Sequence, residues 1–106
     1  MIRAEFSSSA GAYTGFTLRG HAGVAPAPHD ILCAAVSAMA ALTVNTLGEV
    51  FQTELLIEKT EEPAFLSVRI KGAPGEAAKG ILKGLYLQLK DLEKQYPKNL
   101  SVTTDH

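Results

Sequence analysis

The chain has one cysteine, Cys33, and two of its three histidines, His21 and His29, lie within the twelve residues before it. A thiol beside an imidazole is the minimum for an activated sulfur nucleophile. The imidazole takes the thiol proton, the sulfur attacks an acyl carbon, and the proton is returned to the leaving group. Asp30 stands directly before an apolar run and is a good helix cap, which makes Ile31 the first helical residue and Cys33 the third. The first turn of a helix carries unpaired N–H groups and the positive end of the helix dipole, and both favour an anion such as a thiolate. The charge of Asp30, close to the sulfur, offsets part of that gain. His21 lies across a loop long enough to fold back on the thiol, while His29 is nearer in sequence and competes as the base. Ser37 is four residues after Cys33, on the same helix face. Its hydroxyl either bonds the carbonyl one turn back or helps to orient the sulfur or a substrate. Spacing alone leaves these readings open, because a cysteine in an alanine-rich helix is more often a small core residue.

The elements that must position these groups follow from periodicity. Ile2, Ala4 and Phe6 alternate with Arg3 and Glu5, which predicts a half-buried strand. Ser7 to Gly11 has turn chemistry, and Tyr13 to Arg19 reads as the second strand of a hairpin with a rather long loop, Phe16 and Leu18 on one face. Gly20 to His29 contains Gly20, Gly23, Pro26 and Pro28, keeps neither period, and reads as a loop. Ile31 to Gly48 is predicted helical. Only Ser37, Thr43, Asn45 and Thr46 are polar between Ile31 and Leu47, so this helix should be covered on most sides. Thr53 to Thr60 and Ala64 to Lys71 read as strands joined at Glu61-Glu62-Pro63. Glu76 to Tyr96 has apolar residues at steps of three and four, with lysines mostly outside, and is ended by Pro97. Gly80 and Gly84 suggest a flat stripe for close packing. Leu100 to Thr104 is a last strand. The expected fold is a single α+β domain over residues 1–106, in the order β-β-α-β-β-α-β, with two helices on a mostly antiparallel sheet.

Composition narrows the function classes. The 106 residues are 46% hydrophobic and 20% charged, with a net charge of -1. These are ordinary globular values, and no basic excess exists to neutralise phosphates, so direct nucleic-acid binding is not expected. A lone cysteine excludes an intramolecular disulfide and a cysteine-rich metal site and suits a reducing cytoplasm. Nothing calls for a cofactor. The N-terminus lacks the order of a signal peptide, and the Ile31–Gly48 run falls short of the ~20 residues that span a bilayer, so no membrane partner is expected.

Gly20-His21-Ala22, then a loop, then Asp30-Ile31-Leu32-Cys33-Ala34-Ala35-Val36-Ser37 resembles the signature of the ribosomal-processing cysteine protease family, Prp. That pattern is Gly-His-Ala, a loop, and Asp-Ile-Val-Cys-Ala-x-x-Ser. The resemblance implies a cytoplasmic, homodimeric enzyme without a cofactor. It implies that Cys33 is the nucleophile and His21 the general base, with Gly20, Asp30 and Ser37 in supporting positions. The implied partner is the N-terminal peptide of large-subunit ribosomal protein twenty-seven, from which a short extension is removed. Leu32 stands in place of the usual valine, and Pro28 in place of a glycine two residues before the motif aspartate. Proline removes the freedom that glycine offers, so a stiffer loop is expected. Two other classes fit the residues: a non-catalytic module that holds a ribosomal-protein tail, and a redox sensor built on a lone thiol.

Overall fold

The computed structural model describes residues 1–20 and 28–105, with backbone only for 28–30. Strands β1 (Ile2–Ser9) and β2 (Ala12–Arg19) form a hairpin. Helix α1 (Pro28–Asn45) follows and widens into a π-helical turn at Thr46–Val50. A second hairpin, β3 (Leu55–Thr60) and β4 (Phe65–Ile70), leads to α2 (Glu76–Gln95) and then to β5 (Leu100–Thr104). The five strands make one sheet in the order β3-β4-β2-β1-β5. All neighbours are antiparallel except β1 and β5, which are parallel.

This order explains the two-layer architecture. Strands β2 and β3 both run antiparallel to β4, so they are parallel to one another and α1 is a crossover between them. Likewise α2 crosses from β4 to its parallel partner β5. The two crossovers start from opposite strand directions and move toward opposite ends of the sheet. With the right-handed sense that crossovers take, both helices go to one face. Burial agrees: Ile2, Ala4 and Phe6 are buried, while Arg3 and Glu5 between them are exposed. The core between the layers is built on Phe6, Phe16, Leu32, Leu47, Val68, Leu82, Leu89 and Leu100, all fully buried. Tyr86 of α2 meets Phe6 edge-on, with ring centroids 5.4 Å apart, which ties the second helix to the first hairpin.

Several local expectations are corrected. The serines at 7–9 belong to the ladder, with a bulge between Ser7 and Ser8, and the turn is only Ala10-Gly11. Both turn residues have positive φ, 52° and 81°, the backbone that lets a two-residue loop follow the twist of the strands. Helix α1 begins at Pro28 rather than Ile31, so Asp30 lies in its first turn and is not its cap. Proline suits this start, because its fixed φ is helical and its missing N–H is not needed there. Helix α1 is also less covered than its composition predicts. Leu32, Val36, Ala40, Thr43 and Leu47 face the core, but Ile31 and Leu42 are 62% and 66% exposed. In two layers a helix can bury only one stripe against the sheet. Among the described residues, no other element packs on the Gly80–Gly84 stripe: beyond the helix's own nearby backbone, a Cβ at either position would meet no atom within 4 Å.

Candidate active site

Cys33 lies on the second turn of α1, flanked by the core residues Leu32 and Val36. It is half-buried and opens on a groove of about 510 Å³ between α1 and the sheet. Along α1 the wall is Cys33, Val36, Ser37, Ala40, Ala41, Val44 and Asn45. These steps of three and four make one helical face. The opposite wall comes from alternate residues of the strands, Leu18, Leu66, Ile57 and Lys59, with Gly20, Ala64 and Phe65 closing the end. The walls are mostly apolar, with Ser37, Asn45, Lys59, Thr60 and Glu61 as the polar groups.

Three sequence-predicted residues, Gly20, Cys33 and Ser37, thus share one groove. Ser37 is exposed on the groove wall rather than a buried hydroxyl. Gly20 has a structural duty. Its φ is +82°, its N–H donates to the Ala64 carbonyl at 3.0 Å, and a Cβ on it would lie 2.6 Å from the Met1 carbonyl oxygen. Only glycine can end β2 in this way, and this end fixes where the chain leaves toward residue 21. His21 lies outside the described residues, as do the side chains of His29 and Asp30. Pairing of an imidazole with the thiol therefore stays with the sequence pattern.

The new start of α1 changes the electrostatic argument. Cys33 is the sixth helical residue, about 7.5 Å along the axis from Pro28. Its N–H falls within the helical ladder, and the unpaired donors belong to residues before Ile31. The helix-end field fades over one turn. Helical side chains lean toward the N-terminus, so the sulfur reaches back over the preceding turn and recovers part of that field.

Tyr13, Lys90 and Glu93 have shifted values, and none of them lines the groove. Burial, then Tyr86 and Asp105, push the Tyr13 hydroxyl up. The remaining groove walls, Ile57, Lys59, Leu18 and Leu66, were not singled out in the sequence. The alternation of each strand was the available signal, but it does not say which strand flanks Cys33. Among the described residues, no group of three or more His, Cys, Asp or Glu could hold a metal.

The model of the cysteine protease Prp family matches residues 1–101. The chain is also similar to solved structures. One is the essential ribosomal processing protease Prp from S. aureus with a covalently linked product peptide: TM-score 0.89, 24% identity, 99% of this chain and 100% of that one. The same protease with a substrate peptide gives 0.89 and 23%, with coverages of 99% and 100%. SMU.848 from Streptococcus mutans gives 0.89 and 23%, covering 98% of this chain and 93% of that one. No curated protein matches the chain.

Proposed function

The chain belongs to the cysteine protease Prp family, and from that premise we propose that it is a cytoplasmic endopeptidase that removes a short N-terminal extension from large-subunit ribosomal protein twenty-seven during ribosome maturation. The observation that carries this reading is the half-buried Cys33 thiol in a groove open to a polypeptide. Cys33 Sγ attacks the scissile carbonyl carbon after His21 has taken its proton. The carbon–nitrogen bond breaks, His21 protonates the departing amine, and a thioester remains. Water, deprotonated by His21, attacks the thioester, releasing the carboxylate and restoring the thiol. The backbone N–H groups of His29 and Asp30, in the first turn of α1 and without a carbonyl one turn back inside the helix, are the donors this reading assigns to the oxyanion. Two S. aureus Prp structures hold a product or a substrate peptide, which supports a peptide partner for this chain.

The exposed residues Ile31 and Leu42, on an uncharged stretch of α1, support a homodimer that covers this face. The test of the function is cleavage of a synthetic extension peptide by the wild-type chain but not by Cys33→Ala or His21→Ala, read by mass spectrometry. Persistent cleavage by Cys33→Ala refutes the assignment. Tight binding of the peptide with no cleavage by the wild type favours the non-catalytic tail-binding module.

A further inference from the structure

The two edges of the sheet are treated differently. On β5, Glu93 reaches from α2 and accepts the Val102 N–H at 2.8 Å, so a carboxylate occupies a backbone donor that another strand would need. A blocked edge is a standard guard against strand addition. Strand β3, at the other end, has one neighbour among the described residues, β4. Its apolar side chains are open on both faces, with Leu56 50% and Ile57 48% exposed.

The backbone register shows which groups this edge offers. Lys71 N–H donates to the Glu54 carbonyl at 3.0 Å, and Gly20 N–H to the Ala64 carbonyl at 3.0 Å. Stepping by two along the antiparallel ladders, Leu56, Glu58 and Thr60 direct their N–H and C=O groups to β4. Leu55, Ile57 and Lys59 direct theirs outward. Ile57 and Lys59 also line the groove that holds Cys33, together with Thr60 at the end of the strand. The open edge and the groove are therefore continuous.

We propose that part of the substrate polypeptide adds to β3 as a sixth strand, paired to the outward N–H and C=O groups of Ile57 and Lys59, before crossing the Thr60–Glu61 end of the groove to Cys33. This deepens the reading above and rests on it. The occupant fits the surface: a strand needs unpaired backbone groups and an apolar flank, and among the described residues β3 presents both. The spacing makes the proposal quantitative. Strands lie about 4.8 Å apart, so a sixth strand is about 14 Å from β2, whose end at Gly20 borders the same groove as Cys33. An extended chain covers about 3.3 Å per residue. The paired segment thus sits roughly four to five residues from the scissile bond.

The test uses Cys33→Ser, which holds substrate without turnover, and a fluorescent extension peptide N-methylated at one amide at a time. Each methyl group removes a donor and blocks an edge. Strand addition predicts that affinity falls about fivefold or more at alternate residues of the distal segment and is unchanged at those between, as expected for loss of single hydrogen bonds. Ile57→Pro removes an outward N–H while sparing the bonds to β4, so it should weaken binding well beyond Ile57→Ala. A flat N-methyl profile overturns strand addition. So does an Ile57→Pro variant that changes only the oligomeric state, which would assign the edge to a second copy. These outcomes are separable from failure of the function itself, which is read by wild-type cleavage of the unmodified peptide.

Discussion

Gly20→Ala should damage both stability and activity, and the structure supplies the size. With φ at +82°, an L-residue at this position costs about 1–2 kcal/mol in backbone conformation. The new Cβ would stand 2.6 Å from the Met1 carbonyl oxygen, where no backbone atom can remain. Met1 has little room to yield, because the next residue, Ile2, donates its N–H to the Asn99 carbonyl at 2.8 Å. Relieving such an overlap costs typically 1–3 kcal/mol. Loss of glycine's freedom in the unfolded chain returns about 0.4–1 kcal/mol. The net loss is about 3 kcal/mol, a large part of the ~5–15 kcal/mol that holds a domain. With a urea slope near 2 kcal/mol/M, the midpoint should fall by roughly 1.5 M. Gly11→Ala is the control. Its φ is +81°, but a Cβ there would meet nothing within 4 Å, so it incurs the conformational cost alone, about 1 kcal/mol or less after the same return. Peptide cleavage measured well below the midpoint should fall only for Gly20→Ala, because that residue sets the exit of the chain toward His21. Equal midpoints for the two variants would refute the claim that contact with Met1 makes Gly20 necessary.

Cys33→Ala should leave the unfolding free energy, from urea denaturation, within about 1 kcal/mol of wild type while abolishing cleavage, since a half-buried thiol contributes little packing; a large loss of stability would return Cys33 to a core role. Gly80→Ala and Gly84→Ala should each raise stability by about 0.5–1 kcal/mol, because helix propensity improves with no steric penalty; a loss would reveal a surface that a partner covers. Burial pushes the Glu93 carboxyl up, but the Lys90 hydrogen bond, the Val102 N–H and the Lys90 charge together hold it below its ordinary 4.5. A depressed value contributes stability that is present above 4.5 and lost as pH falls through the folded value. Wild type should therefore exceed Glu93→Gln by about 1 kcal/mol in urea denaturation at pH 7, and the gap should close toward pH 3; a gap independent of pH refutes the ionic role.

The sequence was most legible where one face of an element meets the core. The α2 pattern located Glu76–Gln95 to within a residue of its C-terminal end, and β5 was located without error, because Pro97 and the apolar steps leave little choice. Elements whose position depends on distant chain were less legible. The parallel pairing of β5 with β1 follows from two crossovers, which no local period encodes. The serines at 7–9 have turn chemistry, yet the ladder and the Asp105 carboxylate take them into β1: Ser8 donates its N–H at 3.0 Å and its hydroxyl at 2.8 Å to Asp105. The exposed stripe of α1 was invisible because apolarity states what wants cover and not what covers it. Of the groove, Cys33, Gly20 and Ser37 are residues the motif also singles out, while the β3 wall requires the sheet order.

The start of α1 carries the last step. Had Asp30 capped the helix, Cys33 would lie among the free N–H groups, and the helix end alone would give the sulfur a share of activation. With Pro28 as the first residue, the sulfur reaches that end only by leaning back over a turn, and the field there is already falling. More of the proton transfer must then come from a side-chain base. The thiol should consequently depend strongly on His21: in His21→Ala, the rate of Cys33 alkylation by iodoacetamide at pH 7 should fall tenfold or more, while His29→Ala leaves it nearly unchanged. If His21→Ala alkylates as fast as wild type with substrate peptide bound, the helix end suffices and the dyad reading is wrong. If His29→Ala is the slow variant, the base is the histidine that the structure places in the first turn of α1.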